Sequence, residues 1–157
     1  METNCVIQEN SAQPTLCIRK RVPVEALPET FGQAYNDILF YLNSLQEQPV
    51  GAPYAAYYNM DMSDLDVEIG FPVAKTLPGD EEILPSEIPA GRYASVIHTG
   101  PYDKIGEAYE SLSTFIKGCG LSPSGVAYEF YLNDPGQTPP NELQTQIMFP
   151  LQFQMQS

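Results

Sequence analysis

Gly125-Val-Ala-Tyr-Glu-Phe-Tyr131, a turn at Asn133-Asp-Pro-Gly136, and Leu143-Gln-Thr-Gln-Ile-Met-Phe-Pro150 decide the fold, because the chain has already used this pattern once. Upstream, the aromatic run Pro53–Tyr58 is followed by a turn over Asn59–Leu65 and then by Asp66-Val-Glu-Ile-Gly-Phe-Pro72. Short runs rich in aromatic and β-branched residues, bounded by Gly, Pro and Asn, read as strands. Phe71-Pro72 matches Phe149-Pro150 at an offset of 78, and Tyr57-x-Asn59 matches Tyr131-x-Asn133 at 74. The difference of four is a longer loop in the second copy.

Working outward, each strand pair is preceded by a helical pattern. Pro28 opens one with apolar positions at Phe31, Tyr35, Ile38, Leu42 and Leu45, spaced by three and four. Leu39, Phe40 and Tyr41 widen that stripe, so more than one face of the helix expects a covering. Gln48-Pro-Val-Gly51 stops it. The second helix runs from about Asp103, as N-cap, with Ile105, Tyr109, Leu112 and Ile116 on one stripe, and breaks over Gly118–Gly125. Thr15–Val22 and Gly91–His98 read as the strands that precede them.

Both halves are therefore strand, helix, strand, strand. The expected fold class is α+β: duplicated βαββ units with pseudo-twofold symmetry, whose antiparallel sheets form a central ligand cleft flanked by two helices. Residues 1–14 are expected as an N-terminal arm, either loose or a first edge. Residues 15–157 are expected as a single domain, its halves at about 15–73 and 91–151 joined by a Pro-, Gly- and Glu-rich loop at 74–90.

Charge narrows the function classes. Seven Lys and Arg against 20 Asp and Glu give a net charge of −13 over 157 residues. Nucleic-acid affinity rests on basic side chains displacing counterions, so direct nucleic-acid binding is not expected, nor is binding to an anionic membrane surface. No window reaches the length of a membrane span, and the start lacks a signal-peptide pattern. Cys5, Cys17 and Cys119 are odd in number and widely spaced, which fits reduced thiols and a cytoplasmic location. With one histidine, His98, at the end of a strand, neither a His/Cys metal site nor a histidine-based catalytic system is expected. No phosphate-binding glycine motif occurs, and no cofactor is expected.

Strand alternation sorts the remaining candidates. Val67, Ile69 and Phe71 share the face that should pack under a helix, leaving Glu68 and Gly70 on the other; Gln146 and Met148 fall likewise opposite Thr145, Ile147 and Phe149. Glu129 and Tyr131 alternate against Tyr128 and Phe130, with Tyr57 as the counterpart of Tyr131. Glu129, Tyr131, Gln146, Met148, Tyr57 and Glu68 are thus expected on the helix-free faces, lining a groove. Rings, a thioether and a carboxylate suit a flat, apolar cation. Alternation alone equally accommodates Glu68 and Glu129 as solvent-facing acids on half-exposed sheets.

Tyr128-Glu-Phe-Tyr-Leu-Asn-Asp-Pro135 and Thr138-Pro-Pro-Asn-Glu-Leu-Gln-Thr-Gln-Ile-Met-Phe-Pro150 resemble the closing signature of the GyrI-like small-molecule-binding domains, which include the effector-binding domains of BmrR-type multidrug-responsive regulators. Ile88–Tyr102 is similar to that family's central segment. The resemblance covers residues 15 to 151. It implies a duplicated βαββ fold whose cleft takes amphipathic aromatic cations, with Glu129 as the ligand carboxylate. The family often has Thr-Glu-Ile where this chain has Thr145-Gln146-Ile147, which removes one acid that Glu68 would have to replace. The regulators carry a DNA-binding segment ahead of this domain. Too few residues precede Leu16 here, so a stand-alone form is expected.

The resemblance implies, first, a non-catalytic module that senses or sequesters cationic aromatic small molecules. Its alternatives are a hydrolase of strained electrophilic natural products using Glu129 and Tyr131, and a protein modulator of DNA gyrase. The first assigns no catalytic residue; the last makes a protein the partner.

Overall fold

The computed structural model describes residues 4–134 and 136–152. Pro135, inside the expected Asn133–Gly136 turn, lies outside the described residues, as do residues 1–3 of the expected arm and residues 153–157. The described residues form eight strands and two α-helices: β1 (Val6–Asn10), β2 (Gln13–Val22), α1 (Leu27–Ser44), β3 (Tyr54–Tyr57), β4 (Leu65–Pro72), β5 (Leu84–Ile88), β6 (Gly91–Thr99), α2 (Ile105–Gly118), β7 (Ala127–Tyr131) and β8 (Gln144–Pro150). The fold is α+β, and every strand pairing described below is antiparallel.

Two compact units divide the chain. Unit 1 takes the chain up to Asn10 together with everything from Gly91 onward, and unit 2 takes Ser11–Ala90. In unit 1 the strands run β1-β6-β8-β7, with α2 over one face. In unit 2 they run β5-β2-β4-β3, with α1 over one face. Each unit has its own core. That of unit 1 joins Ala94, Val96, Ala108, Leu112, Ile116, Ala127, Ile147 and Phe149.

The repeat extends to registers and rings. Ile18 pairs with Ile69 in unit 2, and their counterparts at offset 78, Val96 and Ile147, pair in unit 1. Tyr54 pairs with Gly70 as Tyr128 pairs with Met148. Ala34, Ile38 and Leu42 are the buried residues of α1; Ala108, Leu112 and Ile116, at offset 74, are those of α2. Pro23 and Pro101 each precede a 3-10 turn that leads into the helix. The helix entries are thus offset by 78 and the buried stripes by 74, because α1 has 18 residues and α2 has 14. Four residues are about one helical turn, so the extra length leaves the stripe facing the same way.

The structure corrects three expectations. Of the two readings of the arm, loose or a first edge, the loose one gives way, because Val6–Asn10 forms β1 on the edge of unit 1 and β2 begins at Gln13. The loop at 74–90 contains β5, which pairs with β2. β1 and β5 stand at the same offset of 78, so each copy begins with a short strand that pairs in the unit built from the other copy. Half-polar edge strands such as Val-Ile-Gln-Glu-Asn have weak alternation, which hides them from a periodicity reading. Finally, Asp103 is not the N-cap of α2. It sits in the 3-10 turn Tyr102–Lys104, and Lys104 occupies the cap without a side-chain hydrogen bond.

Gly70 marks a close approach of β4 to β2. A Cβ there would stand 2.4 Å from the Leu16 carbonyl oxygen and 3.0 Å from Cys17 Cβ. Gly70→Ala should therefore cost about 1–3 kcal/mol through overpacking against backbone that cannot yield. Gly32, inside α1, has open space around it; Gly32→Ala should add about 0.5–1 kcal/mol by helix propensity. Urea unfolding of the two variants checks both signs.

Candidate functional site

β7 places Glu129 through its register with β8. Glu129 pairs with Ile147 and Tyr131 with Thr145, and directly opposed residues share a face. Ile147 belongs to the core under α2, so Glu129 and Tyr131 lie on the helix-covered face, contrary to expectation. Tyr128 and Phe130 take the other face, where their rings stack with centroids 6.5 Å apart and Tyr128 meets Tyr93 edge-on at 6.2 Å. Alternation separated the two sets correctly, but it does not say which set the helix covers. Small Ala127 and polar Glu129 look like the outer set and are the inner one.

The Glu129 carboxylate accepts two phenolic hydrogen bonds. Tyr131 OH donates to Oε1 at 2.8 Å, and Tyr109 OH, from α2, donates to Oε2. The Tyr109 ring also packs on Phe149, with centroids 5.5 Å apart, so one residue serves both core and site. Tyr102, 38 % exposed on the turn before α2, meets Tyr131 edge-on at 5.9 Å. Buried His98 stands close enough to act on Glu129 electrostatically, and its Nε2 lies 3.1 Å from the Pro101 carbonyl. That oxygen can only accept, so Nε2 carries the proton.

Burial raises the pKa of the half-buried Glu129 above its ordinary value; the Tyr109 and Tyr131 hydrogen bonds and His98 oppose the rise without cancelling it. Burial, with the charge of Glu129, also raises the Tyr102 hydroxyl. No Lys or Arg lies within ion-pair range of Glu129 among the described residues. The arrangement is a desolvated carboxylate beside three phenol rings, with hydrogen bonds and a nearby histidine but, among the described residues, no Lys or Arg counter-charge.

The other candidates divide by unit and face. Gln146 and Met148 lie on the helix-free face of unit 1; Gln146 Nε2 donates to Ser95 Oγ at 3.0 Å, and Met148 sulfur accepts from Gln8 Nε2 at 3.9 Å. In unit 2, Tyr57 pairs with Val67. Val67 shares its face with Phe71, whose ring meets Tyr35 of α1 at 5.2 Å, so Tyr57 also lies on a helix-covered face. Glu68 lies on the opposite face and is 4 % exposed. Tyr54 OH donates to its Oε2 at 2.5 Å and Tyr58 OH to its Oε1 at 2.7 Å, while Thr15 Oγ1 lies 3.0 Å from the Tyr54 hydroxyl. Burial and then the charge of Glu68 push the Cys17 thiol up to about 12, which makes it inert. Glu68 is thus a closed structural carboxylate.

Sequence reasoning missed Tyr109 and Tyr102. Tyr109 was absorbed into the core stripe, yet a buried tyrosine needs a partner for its hydroxyl, and that requirement was its available signal. Tyr102 follows Gly100-Pro101 and carries no local signal.

The chain matches the GyrI-like family, described as a GyrI-like small molecule binding domain, over residues 3–152. No curated protein matches it by sequence. Among solved structures, EcmrR in its DNA complex superposes with a TM-score of 0.76 at 20% identity, covering 94% of this chain and 57% of that one. This chain therefore spans little more than half the length of that regulator. A hydrolase from Listeria innocua superposes with a TM-score of 0.73 at 11% identity, covering 96% and 93%. SAV2435 bound to tetraphenylphosphonium gives 0.66 at 9% identity, covering 95% and 94%. At these identities the structures share the fold.

A raised folded-state pKa means that the protonated acid favours the fold. That contribution is complete below the unfolded carboxyl's range and is lost as pH rises through the raised value. Relative to wild type, Glu129→Gln should therefore gain stability as pH rises from about 4 to about 8. Denaturant unfolding of both proteins across that interval measures the difference; parallel profiles would contradict it.

Proposed function

The chain belongs to the GyrI-like small-molecule-binding domain family, and on that premise we propose that it binds a flat, apolar cation whose charge is neutralised by Glu129. The observation that carries this reading is the condition of the carboxylate. It is desolvated, its two oxygens accept phenolic hydrogen bonds, His98 is the one basic group acting on it, and no Lys or Arg pairs with it among the described residues. An incoming cation supplies the missing charge in a low-dielectric setting, where pairing is stronger than in water. Tyr131 and Tyr102 offer ring faces and edges to an aromatic ligand, and a cation over such a ring gains about 0.5–2 kcal/mol. SAV2435, which shares the fold, is bound to tetraphenylphosphonium, which is likewise an apolar aromatic cation, though tetrahedral and not flat. In this reading the module senses or sequesters such compounds. Gln146 and Met148, on the other face of their sheet, and Glu68, closed by two tyrosines, take no part in holding the charge.

Hydrolysis is a second reading, favoured by the same raised pKa. A carboxylate that holds its proton more tightly is a better general base, and neighbouring phenols can donate to a leaving oxygen. Incubation with a strained electrophile, followed by mass spectrometry, separates the two: turnover lost in Glu129→Gln identifies a hydrolase, and unchanged compound identifies a binder.

Titration with a fluorescent lipophilic cation should show saturable binding that Glu129→Gln weakens about 30-fold or more, the usual effect of removing one member of a desolvated charge pair. Equal affinity in the variant would sink the charge-pairing role.

A further inference from the structure

Unit 2 carries a groove of about 760 Å³ that the Glu129 site does not use. One wall is a stripe of α1 running through Asp37 and Phe40, the floor is the helix-side face of β2, and the other wall is the turn Asp80–Ile83. Tyr41 OH fixes that turn to α1 by donating to the Pro78 carbonyl at 2.7 Å, and Lys20 Nζ fixes it to β2 through Glu82 at 2.7 Å. The turn that forms this wall is thus tied to both the helix and the strand of its own unit.

Its lining is unbalanced in charge. Asp37, Asp80, Glu81 and Glu82 face one basic residue, Lys20, which Glu82 already engages. Its rim carries an exposed aromatic ring: Phe40 is 78 % exposed. The core of the unit does not explain Phe40, because the buried residues of α1 are Ala34, Ile38 and Leu42. The repeat does not explain it either. The equivalent positions on α2 are Ser111 for Asp37 and Thr114 for Phe40. The two copies agree at buried positions and diverge here, where an acid and an aromatic ring replace two small hydroxyls.

We propose that this groove docks a basic, amphipathic segment of a protein partner, with one apolar side chain of the segment packing on Phe40 and its Lys or Arg residues meeting Asp37, Asp80 and Glu81. Charge complementarity selects the partner's sign, and an exposed aromatic at a groove rim is the kind of anchor on which peptide affinity concentrates. The groove is independent of Glu129, so it would couple the domain to a second molecule whatever the first site binds.

Fluorescence anisotropy with a labelled synthetic peptide of Lys, Arg and Leu, and with its Glu-for-Lys/Arg counterpart, tests the assignment. The basic peptide should bind, less tightly as salt rises, and the acidic one should not. Phe40→Ala and the pair Asp37→Asn/Glu81→Gln should each weaken binding about tenfold, while Glu129→Gln leaves it unchanged. Phe40 is exposed, so its replacement leaves the fold intact. Absence of binding at low salt, or wild-type affinity in both groove variants, overturns the proposal. So does a groove that takes a lipophilic dye cation in the Glu129→Gln protein, lost with Phe40→Ala, while the peptide does not bind.

Discussion

A carboxylate taken out of water must either find a cation, give up its charge or be hydrogen-bonded into tolerance. Glu129 is held by the third route, through Tyr109 on α2 and Tyr131 beside it on β7. The arrangement ties the site to the core, since the Tyr109 ring that packs on Phe149 is carried by the same helix whose stripe holds unit 1 together. The other copy shows the same scaffold without the site. Tyr35 packs on Phe71 as Tyr109 does on Phe149, but its hydroxyl donates to the Tyr54 backbone carbonyl at 2.9 Å. At the position of Glu129, the first copy has Ala55. One ring-on-ring contact was kept for folding in both halves, and in one half its hydroxyl holds the acid.

The net charge of −13 acquires a more specific meaning in this light. Arg19, Lys20 and Arg21, the densest basic cluster, are all engaged by acids of their own unit: Arg19 by Asp66, Lys20 by Glu82 and Arg21 by Asp64. Arg19 also lies 3.9 Å over the Tyr58 ring. These positive charges organise unit 2 and are not available as an anion-binding patch. Among the described carboxylates, Glu68 is the one that is fully buried. Glu68 is sealed between Tyr54 and Tyr58, and Glu129 remains half-open beside Tyr102.

Much of the fold was legible in the sequence because buried strands and helices advertise themselves by period. The paired Phe-Pro endings, the aromatic third strands and the helical stripes each landed on the expected element. β1 and β5 were not legible, since an edge strand needs only one paired neighbour and tolerates polar residues on both faces. The face of Glu129 was not legible either. Alternation gives two sets per strand; the choice between them is made by the neighbouring strand's register, here Glu129 opposite Ile147. The large aromatic residues Tyr128 and Phe130 resembled the core set and pack instead on the helix-free side of unit 1. The resemblance to GyrI-like domains pointed to Glu129 as the acid to examine, but neither it nor the spacing indicated Tyr109.

If Glu129 holds the cation, binding must favour its ionised form, and a carboxylate with a raised pKa must then release part of its proton as the ligand arrives. Isothermal calorimetry of tetraphenylphosphonium binding in buffers of different ionisation enthalpy, at a pH near the Glu129 titration, reads that release directly. The expected result is fractional proton release in the wild-type protein and none in Glu129→Gln. Binding of the cation with no proton exchanged at any pH across the carboxylate range would contradict the assignment of Glu129 as its counter-charge.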